Sequence, residues 1–128
     1  MFWIALSALI MSLTGEGDDT YAFRKILDNQ REAVEDEVHD PGRQKAAILV
    51  VDKTKAAFWK HRERAGKISA CLERADRTYD VSAATYEGCL TDLGPAWDAA
   101  SKDLIEYERE FRSSLTADEL LAVRRAAE

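Results

Sequence analysis

RQKAAILVVDKTKAAFWKHRERAGKISACLERADRTY, residues 43–79, contains no proline and a single glycine. Ala47, Val51, Thr54, Phe58, His61, Ala65, Ile68, Leu72, Ala75 and Tyr79 recur within it at alternating steps of four and three. That repeat lays side chains along one seam of a long, coiled-coil-like helix. AAILVV, residues 46–51, is the one strand-like run, and its flanks continue the helical repeat. Gly66 lies inside the segment and costs about 1 kcal/mol relative to Ala, which marks a point where the helix is able to bend.

Upstream of this helix, the spacing predicts another from about Thr20 to His39, capped by Asp19 or Thr20, with Phe23, Leu27, Val34 and Val38 on one face. HDPG at 39–42 reads as the turn between the two, because Pro41 disfavours helix at Asp40 and Gly42 suits a turn. Downstream, YDVS at 79–82 is the next turn, with Asp80 or Ser82 as cap of a third helix ending near Leu93. Gly94 and Pro95 restart the chain, with Pro95 at the first helical position. The fourth helix carries Trp97, Ala100, Leu104, Tyr107 and Phe111 at three-four spacing, and TADE at 116–119 has the form of a capping box before a last helix through Ala127. The fold class expected is all-α: an antiparallel helical bundle or hairpin with one long central helix and an apolar N-terminal segment. Residues 1–14 form a signal or anchor segment, 15–19 a linker and 20–128 a single helical domain.

At 128 residues the chain is long enough for one domain with a real core. A net charge of -6 argues against a nucleic-acid partner, which needs clustered Lys and Arg. The basic run Lys53–Arg64 is broken by Phe58, Trp59 and Glu63 and reads as a solvated helix face. MFWIALSALIMSL at 1–13 carries no charge. As a helix, residues 2–13 would reach only ~18 Å, short of the ~30 Å hydrocarbon core, so they match the apolar region of a secretory signal better than a membrane span. A buried N-terminal helix is the alternative; the abrupt change of composition favours export, to the periplasm or beyond the cell, or membrane association through residues 2–13.

Cys71 and Cys89 each lie nine residues from Asp80, the centre of the predicted turn. In an antiparallel hairpin such positions sit side by side, which predicts a disulfide; two buried free thiols are the alternative reading. No cofactor or metal site is expected, because neither His39 nor His61 has a second histidine at ligand spacing. His39 precedes the turn, near the carbonyl end of the first helix. His61, on the seam, reads as a partly buried, hydrogen-bonded side chain rather than a pH switch. No nucleophile elbow or phosphate loop is present, so no catalytic residue is assigned and an enzyme is not expected. Phe58, Trp59 and Trp97 form an aromatic set able to nucleate a core.

GRQKAAILVVDKTKAAFWKHRERAG at 42–66, followed by TYEGCLTDL at 85–93, resembles the LprI-like domain, the N-terminal domain of a lysozyme-inhibitor lipoprotein. Phe58 and Trp59 stand for that family's aromatic, Arg62 and Glu63 for its Arg-acid pair, and Tyr86, Cys89 and Leu90 for its later Tyr-x-x-Cys-Leu segment. Gly66 stands where the family has its first cysteine, with Cys71 five residues on. The resemblance implies a small exported helical domain with structural cysteines. The expected function is a non-enzymatic binding module of the cell envelope, an inhibitor of a basic cell-wall hydrolase such as lysozyme, with Glu35, Asp36, Glu37, Glu106 and Glu108 as binding carboxylates. Two other readings stand beside it: a structural or accessory subunit packing its N-terminal helix into a membrane-associated complex, and a Spy-like periplasmic chaperone or stress sensor, since LTADE at 115–119 is similar to the Leu-Thr-x-x-Gln motif of Spy-like chaperones.

Overall fold

The computed structural model describes residues 19–78 and 82–128. The signal or anchor segment at 1–14, most of the linker, Tyr79 and Asp80 lie outside those residues. Among the described residues there are five helices: α1 (Asp19–Glu37), α2 (Pro41–Asp76), α3 (Ala83–Leu90), α4 (Leu93–Ser114) and α5 (Ala117–Ala127). The described residues contain no strand, and the fold is all-α.

Ion pairs record the antiparallel register. Lys55 reaches Asp28 and Arg31 reaches Asp52, so position numbers fall along α1 as they rise along α2. On the other flank His61 meets Asp103, Lys53 meets Glu110 and Arg43 meets Glu119 in the same opposed order. With 36 residues, α2 is about 54 Å long and serves as the common spine. Its first half packs against α1 and the end of α4, with α5 lying on α1, around Phe23, Leu27, Val34, Val50, Val51, Phe58, Leu104, Phe111 and Val123. Phe23 and Phe58 meet with ring centroids 3.9 Å apart. The second half is covered by α3 and the start of α4.

The predicted seam is the buried face of α2. Ala47, Val51, Thr54, Phe58, His61, Ala65, Ile68 and Ala75 are all buried, and Leu72 partly so. Val50 and Ala57 are buried too, which widens the stripe beyond a two-helix seam, as a spine with neighbours on two sides requires. Thr54 satisfies its buried hydroxyl by donating to the Val50 carbonyl at 2.8 Å.

Several expected boundaries are displaced. Pro41 and Gly42 belong to the first turn of α2: Asp40 is the N-cap, its Oδ2 accepting from the Arg43 N–H at 2.8 Å, and Pro41 takes the position where a missing N–H costs nothing. The expected start at Arg43 was therefore two residues late. α2 ends at Asp76, three residues before the expected Tyr79, and runs unbroken past Gly66. Asp19 and Thr20, expected as caps, are already within α1. Ser82 does occupy the cap position of α3, without a side-chain bond to the backbone, and α3 stops at Leu90 rather than Leu93. Pro95 is the third residue of α4, not the first; any position in the first turn spares it a lost bond. The capping box is as expected: the Glu119 N–H donates to Thr116 Oγ1 at 3.2 Å, and the Thr116 N–H to Glu119 Oε2 at 3.1 Å.

Cys71 and Cys89 form a disulfide, with Cα atoms 5.6 Å apart. In α3 Cys89 is the one buried residue, so apolar packing alone does little to hold this eight-residue helix. Closing a loop of this separation, 18 residues, contributes about 3 kcal/mol in the chain-entropy model. Replacing both cysteines by serine is expected to lower the unfolding free energy by about that amount in a urea titration, and an unchanged midpoint would contradict the role. Gly66 is exposed, and a Cβ there would meet nothing within 4 Å. Gly66→Ala is accordingly expected to raise stability by up to about 1 kcal/mol in the same assay.

Candidate functional site

Helix C-termini carry partial negative charge, and cations normally settle there. The last turn of α1 does the reverse. It contains Glu35, Asp36 and Glu37, all exposed, follows Glu32, and holds no basic residue. Its open carbonyls are served by a neutral group, the Gln44 amide, which donates to the Glu35 and Val38 carbonyls at 3.0 and 3.1 Å. Glu35 has a distant partner in Arg31, at 3.8 Å, and among the described residues Asp36 and Glu37 have no ion pair. His39 is exposed and makes no side-chain hydrogen bond to described residues. The result is a concentrated negative corner at the α1–α2 connection.

Glu106 and Glu108 lie elsewhere, midway along α4. Glu106 is exposed near Lys53, whose ammonium is paired with Glu110 at 2.9 Å. Glu108 turns into a groove between α1, α4 and α5, with a volume of about 330 Å³. Ile26, Gln30, Phe111, Arg112, Leu120, Val123, Arg124, Ala127 and Glu128 complete its lining. Glu108 Oε1 accepts from Arg112 Nε at 3.0 Å, while its Oε2 is buried without a hydrogen-bond partner. The five carboxylates singled out by sequence thus do not form one surface: Glu35, Asp36 and Glu37 share a helix end, while Glu106 and Glu108 face different neighbours.

The residues that carry the family resemblance are mostly structural. Phe58 is in the core. Trp59 packs on its edge, with the guanidinium carbons of Arg24 and Arg62 at 5.3 and 5.4 Å from the indole ring. Glu63 reaches only Lys67, at 3.9 Å on an open surface. The Tyr86 hydroxyl donates to Asp76 at 2.8 Å, which raises its pKa and ties α3 to the end of α2 beside the disulfide. Leu90 is exposed. Trp97 does not join Phe58 and Trp59: it stands 37% exposed at the start of α4, past the reach of α1. There it borders a cleft with His61, Ala65, Ile68, Leu93, Ala96 and Ala100.

His61 is hydrogen-bonded as expected, its Nε2 lying 2.7 Å from Asp103 Oδ2, but it is buried rather than partly buried. The pair resembles a base with its orienting carboxylate; one adjoining cleft has room for about one water, 20 Å³, and is lined by no hydroxyl or thiol, while a second, open and about 440 Å³, is bordered by Lys60, Glu63, Arg64, Lys67 and Asp92. Among the described residues no three His, Cys, Asp or Glu side chains are placed to hold a metal ion, and no helix is long and apolar enough to cross a membrane. No known protein family, curated protein or solved structure matches the chain.

Two ion pairs that sequence spacing did not disclose join remote elements. Arg43 binds Glu119 through Nε at 2.9 Å and Nη2 at 2.7 Å, and Arg64 binds Asp92 through Nε at 2.7 Å and also through Nη2. The hydrogen bond from Arg43 first, then those from Thr116, hold the Glu119 pKa below its ordinary 4.5; Arg64 likewise lowers that of Asp92. A carboxylate whose pKa is depressed by folding stabilises the fold above its unfolded pKa, and that contribution fades as pH falls through the folded value. The Tm of Glu119→Gln is therefore expected below that of wild type near neutrality, with the gap closing as pH drops below about 4.5. A gap independent of pH would show that the charge of Glu119 plays no part.

Proposed function

We propose that the chain is an exported, non-enzymatic binding module of the cell envelope that engages a basic protein, of the class of cell-wall hydrolases such as lysozyme. The observation that carries this reading is the last turn of α1, where exposed carboxylates crowd a helix end that physical chemistry reserves for cations. Each such charge costs the isolated fold roughly 0.3–1 kcal/mol at low salt. Natural sequences break such local rules mainly where function requires it. A basic partner approaching this corner meets the carboxylate field and the helix dipole acting together, which accelerates and orients encounter.

Export is supported by the disulfide, since such bonds persist in oxidising compartments, and by the uncharged run at residues 1–13. A binding role is supported over catalysis by both cysteines being consumed in the disulfide. The large exposed apolar side chains are Tyr21, Leu49, Leu90, Trp97, Ile105 and Leu121. They are spread over all five described helices, which gives no support to the single apolar client-holding face of a chaperone.

The test exploits opposite signs. In the double variant Asp36→Lys/Glu37→Lys, relief of the dipole conflict is expected to raise Tm, while association with lysozyme slows on the order of tenfold at low salt and loses its salt dependence. Misfolding would lower both quantities and is thereby excluded. An on-rate equal to wild type would remove this corner from the interface.

A further inference from the structure

Charges along α1 are sorted by sign. Its last turns carry Glu32, Glu35, Asp36 and Glu37, while Arg24 and Lys25 stand exposed near its start. Between the two groups, Asp28 and Arg31 are paired across to Lys55 and Asp52 of α2. The opposed register brings Arg24 to the level of Trp59 and Arg62 in α2. Both guanidiniums lie against the part-exposed Trp59, with their carbons 5.3 and 5.4 Å from its ring. Such contacts hold a guanidinium in place without neutralising it. Among the described residues Arg24, Lys25 and Arg62 make no ion pair. The adjacent carboxylates, Asp28 and Glu63, are engaged by Lys55 and Lys67. Two guanidiniums on one ring are at most about 11 Å apart, on the order of one Debye length, so this face acts as a single cationic patch.

Position selects the anion. Arg24 follows the first residue of α1, Asp19, by five residues, about 7 Å along the axis. The uncharged run at 2–13 precedes that same helix start in the chain. Tryptophan and arginine side by side suit a membrane–water boundary, because the indole is amphipathic and the guanidinium fork matches phosphate oxygens. The acidic last turn of α1 lies about 15–20 Å further along the helix, roughly two Debye lengths away, so its repulsion from an anionic surface is largely screened at the patch. We infer that the Arg24–Trp59–Arg62 face, with Lys25, docks the folded domain on an anionic lipid surface. The guanidiniums meet headgroup phosphates, and the acidic end of α1 points away from the bilayer, toward soluble partners. The inference rests on the envelope location proposed above and not on the identity of a basic partner.

The test measures partition of the full chain onto vesicles of phosphatidylcholine alone and of an equal mixture with phosphatidylglycerol. The ratio of the two cancels the apolar contribution of residues 2–13. At low salt wild type is expected to favour the anionic vesicles on the order of a hundredfold, from about fivefold for each of three cations, and to lose the preference at high salt. Arg24→Gln/Arg62→Gln is expected to lower the ratio about 25-fold, whereas Arg24→Lys/Arg62→Lys, which keeps the charge, retains most of it. A wild-type ratio near one, a ratio unchanged in the glutamine variant, or a lysine variant that falls as far as the glutamine variant would each overturn the assignment. Vesicle binding requires no protein partner, so its failure and a failure of the acidic corner to engage lysozyme are told apart.

Discussion

The Cys71–Cys89 bond does for the outer half of α2 what hydrophobic packing does for the inner half. Near its start α2 packs against α1 and α4, and Phe23, Leu104 and Phe111 of those helices close on its own Phe58, all almost fully buried. Past His61 the enclosure thins. α1 is left behind, and α3 contributes one buried side chain, Cys89 itself. An eight-residue helix with so little to bury is marginal unless its ends are held. The disulfide holds it near one end, the Tyr86–Asp76 hydrogen bond reinforces the same junction, and Arg64–Asp92 fastens the connection into α4. Of these only the covalent bond is insensitive to salt and acid.

Along the inner half the polar contacts follow a different logic. Lys53–Glu110, Lys55–Asp28 and Arg31–Asp52 are part-exposed pairs of the kind worth little individually, and they record register more than they supply stability. Arg43–Glu119 differs because Glu119 also completes the capping box of α5, so one carboxylate satisfies a helix terminus and joins it to α2. Against this background of locally consistent charge, two places stand out as inconsistent. One is the acidic last turn of α1, and the other is the unsatisfied oxygen of Glu108. Both are costs to the isolated fold.

Much of this was legible in the sequence because it depends on local period and local chemistry. The three-four repeat of α2 names its buried face, TADE names a cap, and equal spacing of two cysteines about a turn names a disulfide. Misreadings occurred where one residue supports two local structures. Pro41 suits both a turn and the first turn of a helix, and the choice was settled by the Asp40 side chain reaching the Arg43 N–H. Trp97 has the spacing of a core residue but sits where no further described helix covers α4. The groove at Glu108 was beyond sequence reading altogether, because it is bounded by side chains from three helices as far apart as Ile26 and Ala127. Grouping Glu108 with Glu35–Glu37 by composition alone missed that its carboxylate is turned inward.

The account turns on a covalent hairpin formed where thiols are oxidised. The direct measurement is to quench native cells with a thiol-alkylating reagent under denaturing conditions and weigh the intact protein before and after reduction. The account predicts that neither cysteine takes up reagent until a reductant is added, and that both do so afterwards. Two alkylated cysteines without reduction would mean that the hairpin is open in the cell, and would contradict both the staple and the compartment inferred from it.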